Sequence, residues 1–247
     1  MKILSLVALF CTIQFATHAH AGSPLSNSLA GVTLGNTPAQ TKKILKELYG
    51  GCEIDEMVYK NGKDPLTHIG QLEIGSDVAG EECRKKQEDS GRVDELSVLF
   101  VHPEVDQNQP AFQIRLVRVF QPNSNRGKPS FKEIIDSIQE KFGPPAIEKF
   151  EKASKRPFNR GAYLYIYKAA WTAKPQRDAL VICFDNSCGK NTLQLSIMGE
   201  GPTKATLSTA RITNLTILDL VDQELYSKQI EWEVRQDDEK EKRAKSF

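Results

Sequence analysis

The chain has 247 residues, of which 39% are hydrophobic and 26% are charged, and 33 basic against 32 acidic residues leave a formal net charge of +1. This composition is typical of a globular protein and excludes a general nucleic-acid-binding protein, which would carry a clear excess of positive charge. A mean hydropathy of -0.43 excludes a bundle of membrane-spanning helices.

Residues 1–21 have the features of a secretory signal peptide. Lys2 supplies a positive start, residues 3–16 are mainly apolar, and Ala19 and Ala21 are the small residues that a signal peptidase recognises. The apolar stretch is shorter than the roughly 20 residues that span a membrane. The sequence therefore predicts cleavage, a mature chain that begins at Gly22 without a transmembrane anchor, and a periplasmic or secreted protein. An uncleaved anchor is the alternative.

An even number of cysteines remains after cleavage, which predicts disulfide bonds in an oxidising compartment. Cys183 and Cys188 flank a stretch of turn-forming residues, 184–187, so we expect these two sulfurs to pair. That pairing leaves Cys52 to bond with Cys83. Four thiols also make zinc an alternative, but the chain has no C-x-x-C pair, and we expect no metal or cofactor.

Two segments carry the same signals for the start and the end of a helix. Thr37 with Gln40, and Ser130 with Glu133, have the spacing of capping boxes, and each pair precedes apolar residues at helical spacing. Each segment closes on an aromatic residue followed by glycine, which favours the end of a helix. The sequence therefore predicts two amphipathic helices, one in each half of the chain.

Downstream of each predicted helix the apolar period shortens from about 3.6 residues to about 2, which indicates strands. The expected strands are residues 66–74, 95–101, 112–120, 163–171, 179–184 and 192–198. The repeated order predicts an α+β fold of two tandem units, residues 22–122 and 130–201, each a helix packed on a short antiparallel sheet. One α+β domain without internal symmetry is the alternative.

Residues 213–245 are predicted to form a long C-terminal helix. Apolar residues recur there at helical spacings from Ile217 to Trp232. Residues 236–245 mix acidic and basic side chains, so we expect them to form the solvated end of this helix.

The opening of the first unit resembles a known family. Gly31-Val-Thr-Leu-Gly35, followed by Thr37-Pro38 and a helix that ends in Tyr49-Gly50, looks like the start of envelope modules of the SmpA/OmlA (BamE) type. Two such units in tandem would resemble β-lactamase-inhibitor proteins. The segment Lys141-Phe142-Gly143-Pro144-Pro145 is also similar to a pattern in uncharacterised secreted bacterial proteins. The resemblance implies a short helix ahead of a sheet and a place in the cell envelope.

The strand at 163–171 holds the densest group of aromatic residues. Alternation places four of them on one face and Leu164 and Ile166 on the other. The four are Tyr163, Tyr165, Tyr167 and Trp171. If a helix covers Leu164 and Ile166, the aromatic face looks outward and is a candidate partner-binding surface. The alternative is that packing buries the aromatic face.

The search for catalytic motifs assigns no catalytic residue. G-x-S-x-G, H-E-x-x-H, the phosphate-binding P-loop and G-x-G-x-x-G are all absent from the sequence. His68 and His102 become candidate general bases only if the fold brings a nucleophile to them. The leading interpretation is a non-catalytic periplasmic or secreted protein that holds a protein partner on a sheet face. A cell-envelope hydrolase whose site is assembled only by the fold is the alternative.

Overall fold

A computed structural model describes residues 27–50, 52–59, 68–75, 83, 92–120, 128–157, 161–172 and 191–245. These residues form an eight-stranded sheet, a two-stranded hairpin and three helices. The strands are β1 (Ser28–Leu29), β2 (Val32–Thr33), β3 (Asp55–Tyr59), β4 (His68–Ile74), β5 (Arg92–Phe100), β6 (Ala111–Phe120), β7 (Ile147–Lys152), β8 (Tyr163–Thr172), β9 (Asn191–Gly201) and β10 (Arg211–Asp222). The helices are α1 (Pro38–Leu48), α2 (Phe131–Phe142) and α3 (Gln223–Ala244).

Helices α1 and α2 begin at the two predicted capping boxes. The hydroxyl of Thr37 accepts a hydrogen bond from the backbone N–H of Gln40 at 3.3 Å, and the Gln40 side chain accepts one from the N–H of Thr37 at 2.9 Å. Ser130 and Glu133 make the same two contacts at 3.2 and 2.6 Å. Each box satisfies two backbone donors that the first turn of a helix leaves free. Both predicted helix starts are confirmed.

The strands of the two halves of the chain belong to one antiparallel sheet. Its strand order is β3-β4-β5-β6-β10-β9-β8-β7. At the centre, β6 and β10 pair from Val119 opposite Leu215 to Gln113 opposite Val221. The prediction of two tandem helix-on-sheet units is therefore wrong, because this ladder joins the strands of both halves into one continuous sheet. Sequence periodicity locates strands, but it does not show which distant strands pair.

Helices α1 and α2 pack on one face of the sheet, here called the covered face. Leu45 of α1 and Phe131 and Ile135 of α2 are buried against it. The strand residues in the same core include Leu72, Ile74, Leu96, Val98, Phe100, Ile114, Tyr165, Tyr167, Trp171, Leu193, Leu195, Ile197, Leu218 and Leu220. Since successive strand residues point to opposite sides, the intervening residues form the other face, here called the open face.

Strand β10 replaces the first part of the predicted C-terminal helix. The strand runs to Asp222, whose side chain accepts from the N–H groups of Glu224 and Leu225 and so caps α3. The helix start predicted near residue 213 is wrong. The buried leucines of β10, Leu218 and Leu220, are two residues apart, as in a strand. Ile217 on the open face is also apolar, and together with them it made the spacing resemble that of a helix. Among the described helices, none has both the length and the apolar character needed to cross a membrane.

Besides β10, the sequence analysis missed two further strands of the sheet, and both of these lie at its edges. Strands β3 and β7 are short and rich in charged residues, as edge strands often are, so they show little apolar alternation. The predicted signal peptide, 1–21, and the strand expected at 179–184 lie outside the described residues.

The predicted bond between Cys52 and Cys83 is present, with 4.8 Å between the two Cα atoms. It connects the segment after α1 to a residue that is only 1% exposed. Because both sulfurs are committed to each other, the four-thiol zinc site is excluded. Cys183 and Cys188 lie outside the described residues, and their pairing stays a prediction.

Candidate functional site

The open face is the candidate functional site, because the helices leave a sheet eight strands wide facing away from the core. One row of register partners crosses it from β3 to β7: Asp55, Glu73, Ser97, Arg115, Asp219, Gln194, Ala170 and Ile147. The adjacent row runs from β5 to β7: Glu95, Val117, Ile217, Ser196, Lys168 and Lys149. We call these two lines of residues the central rows.

The middle of the central rows holds a hydrogen-bonded charge pair. Arg115 Nε donates to Asp219 Oδ1 at 2.8 Å, and Gln113 Nε2 donates to the same oxygen at 3.1 Å. The side chain of Arg115 is 49% exposed, whereas that of Asp219 is 16% exposed. The carboxylate is therefore held in place by its neighbours, while the guanidinium remains accessible to a partner.

The remaining charges of the central rows are divided between the two sides of the sheet. Asp55, Glu73 and Glu95 lie on β3, β4 and β5, whereas Lys168 and Lys149 lie on β8 and β7. Lys149 forms an ion pair with Glu151, one position further along the same face of β7, at 2.6 Å. Within the described part of the chain, Lys168 and Glu95 make no ion pair. Within the central rows, the charges on β3 to β5 are thus acidic and those on β8 and β7 are basic.

A shallow depression lies near the centre of the open face. It has a volume of about 170 Å³, and its lining includes Lys168, Gln194, Ser196, Ile217 and Asp219. Pockets for drug-sized ligands are usually about 300 to 1,000 Å³. The depression is therefore too small for such a ligand.

The aromatic residues singled out from the sequence lie on the covered face. Tyr165, Tyr167 and Trp171 are 3%, 1% and 3% exposed, and Tyr163 is partly buried against the same core. Alternation was read correctly, but α2 covers the aromatic side of β8. The burial of these three side chains agrees with the alternative in which packing buries the aromatic face, while Ile166 and Lys168 lie on the other side of β8.

The polar atoms of these aromatic side chains make hydrogen bonds within the protein. Trp171 Nε1 donates to the carbonyl of Gly143 at 2.7 Å, and the hydroxyl of Tyr165 donates to the carbonyl of Pro202 at 2.7 Å. The hydroxyl of Tyr167 donates to Glu148 at 2.6 Å. Burial, followed by this bond and the charge of Glu148, raises the pKa of Tyr167 well above its ordinary value. These contacts give the aromatic side chains a structural role.

Two histidines meet where α3 docks on the body of the protein. His102 is buried and stacks on Trp232 of α3 with 3.9 Å between ring centroids, and His68 contacts its edge at 6.2 Å. His102 Nδ1 accepts from the N–H of Glu104 at 3.2 Å, and the His102 N–H donates to Gln229 Oε1 at 2.7 Å. Burial is the main cause of a lowered pKa of His102. The cluster holds α3 against the end of the sheet.

The sequence does contain a signal for the open face that was not used. In β6, Gln113 and Arg115 alternate with the buried Ile114, which is the pattern of a strand with one solvated side. Asp219 in β10 has the same relation to its buried neighbours Leu218 and Leu220. These polar positions mark the outward side of the central strands. The tyrosines of β8 gave no such signal, because their side chains carry a polar hydroxyl although they are buried.

Comparison with known proteins adds no family to this picture. No family model matches the chain, and no curated protein or solved structure matches it significantly. Among the described residues, no group of three or more His, Cys, Asp and Glu side chains is arranged to hold a metal ion. The open face is therefore the feature on which a functional assignment rests.

Proposed function

We propose that this chain is a non-catalytic interaction protein of the periplasm or the extracellular space, and that it holds a protein partner on the open face. The observation that carries the proposal is the exposed central part of the open face, with its fixed pair Arg115 and Asp219. The predicted signal peptide and the disulfide between Cys52 and Cys83 support the location, since disulfides persist in oxidising compartments. The resemblance to envelope modules stays a prediction.

The size of the open face supports a protein partner. Eight strands spaced by about 4.8 Å span roughly 34 Å, and the paired residues cover roughly 25 Å along the strands. The face thus offers on the order of 800 Å² to a partner, which is about the area each protein contributes to a standard interface.

The chemistry of the open face also supports a protein partner. Apolar residues such as Val117 and Ile217 alternate with hydrogen-bonding residues such as Gln194 and Ser196. Non-obligate protein interfaces have this mixed character, with polar area close to that of an ordinary surface. The hydrolase alternative has less support, because burial and stacking on Trp232 commit His102 to packing.

Site-specific photo-cross-linking in cells tests the proposal. A photoreactive amino acid is placed at Ser97 or Ser196 on the open face, and at Lys132 or Glu140 on the exposed side of α2 as a matched control. We expect protein adducts from the open-face positions and far fewer from the control positions. Equal yields from both sets, or no protein adduct from the open face, would contradict the proposed function.

A further inference from the structure

We propose that the protein held on the open face is a second copy of this chain. In this dimer the two open faces pack against each other about a two-fold axis that runs parallel to the strands, midway between β6 and β10. The inference rests on the proposed function, because it names the partner of the same face. It follows from the order of charges across the sheet.

The central rows carry a charge pattern that is complementary to itself. From β3 to β7 the strands are negative on β3, β4 and β5, positive on β6, negative on β10, uncharged on β9, and positive on β8 and β7. When the series from β7 to β3 is placed beside the series from β3 to β7, the two strands at each position have opposite charges, or one of them is uncharged. A half turn about the central axis therefore places each charged strand against an oppositely charged or uncharged strand of the second copy.

The register of the sheet makes the match specific at the centre. Arg115 and Asp219 lie in the same row on the two strands next to the proposed axis. The half turn exchanges β6 with β10 and keeps the row, so Arg115 of each copy faces Asp219 of the other. Two ion pairs within the copies thereby become a square of alternating charges, which strengthens each pair once water is excluded.

Lys168 and Glu95, which make no ion pair within the described part of the chain, find partners in the same arrangement. Lys168 lies in the row of Glu95, and the half turn brings β8 of one copy over β4 of the other, next to β5. Lys168 then faces the space between Glu73 and Glu95 of the second copy. These long side chains reach across the roughly 10 Å that separates packed sheets.

The geometry of sheet packing agrees with this axis. A two-fold axis parallel to the strands leaves the strand directions of the two sheets aligned, as in β-sandwiches, where packed sheets lie within about 30° of each other. The buried area, on the order of 1,600 Å² for the two copies together, is that of a standard stable interface.

Charge reversal on the exported, oxidised protein tests the dimer. Sedimentation velocity over a concentration series gives the dissociation constant of the wild type, of Lys168→Glu and of Glu95→Lys. We expect the wild type to dimerise and higher salt to weaken its dimer. Each single variant should bind itself at least about tenfold more weakly than the wild type, because each substitution places two pairs of like charges in the interface. Lys43→Glu, an exposed change on α1, should leave the dimer intact.

Mixing the two variants provides the decisive measurement. A Lys168→Glu copy and a Glu95→Lys copy place opposite charges at both contacts between residues 168 and 95, so the mixture should dimerise more tightly than either variant alone. Unchanged melting temperatures of the single variants establish that both fold. A wild type that stays monomeric, or a dimer that both reversals leave unaffected, overturns the inference.

The cross-linking experiment separates this inference from the proposed function. Adducts at Ser97 or Ser196 that contain only peptides of this chain support both. Adducts with a different protein, together with a monomeric wild type, reject the second copy and retain the proposed function. The absence of any open-face adduct in a monomeric protein rejects both.

Discussion

Arg115 on β6 and Asp219 on β10 form an ion pair of 2.8 Å across the ladder that joins the two halves of the sheet. The pair sits on the open face and contributes nothing to the covered core. Its value for stability is therefore small.

Replacing Arg115 with alanine should lower the free energy of unfolding by less than about 1 kcal/mol, because the pair is partly exposed and such pairs are screened by water. The same change should weaken binding at the open face by at least about tenfold, since it removes the cation that balances the charge of Asp219 in the interface. Urea unfolding and partner capture on one variant check both parts. A stability loss above about 3 kcal/mol with intact binding would show that the pair is structural.

Replacing Trp171 with alanine should destabilise the protein by about 3 to 5 kcal/mol, because a buried indole and its hydrogen bond to Gly143 are lost. Lys168→Ala, on the open side of the same strand, is the matched control and should change stability by no more than about 0.5 kcal/mol. Thermal unfolding of the two variants measures the difference. Similar melting temperatures for both would mean that β8 does not turn its aromatic side to the core.

The fold was predictable from the sequence where the signals are local. The capping boxes at Thr37 and Ser130 set the starts of two helices, because each involves contacts only three residues apart. The pairing of β6 with β10 was not predictable, since it depends on contacts between distant segments. The repeated order of elements was therefore mistaken for two separate units.

The candidate site was missed because alternation shows which residues share a face but not which face is covered. Tyr165, Tyr167 and Trp171 were correctly predicted to share one face of β8. Gly199 indicates that α2 covers this face. A Cβ at this residue would lie 2.1 Å from Phe131 of α2, so the helix needs a glycine opposite Tyr165. A glycine inside a strong strand pattern marks this close approach.

Removing the Cys52–Cys83 bond by replacing both cysteines with serine should destabilise the protein by about 2 to 4 kcal/mol, because the bond closes a 31-residue separation. Urea unfolding of the oxidised wild type and the variant gives the difference. Peptide mapping without reductant checks the pairing itself. A bond between Cys52 and Cys183 or Cys188, or free thiols at Cys52 and Cys83, would contradict the structure.

The docking of α3 should depend on pH through His102. Burial disfavours the imidazolium, so the pKa of His102 lies below its ordinary value of 6.5; nearby Glu104 opposes this shift, and His68 adds to it. As pH falls, the unfolded chain takes up the proton before the folded protein does. The contribution of His102 to stability is therefore complete above about pH 6.5 and is lost as pH falls through the lowered pKa. Protonation also removes the acceptor that Nδ1 offers to the N–H of Glu104.

Urea unfolding at several pH values measures this effect. Between about pH 7.5 and pH 5 the wild type should lose more stability than His102→Gln, because the variant has no imidazole to protonate at this buried position. Trp232 fluorescence in a Trp171→Phe background should report the same transition, since the indole stacks on the His102 ring. His68→Gln is the matched control and should keep most of the pH dependence. Equal pH profiles for the wild type and His102→Gln would show that His102 does not control the docking of α3.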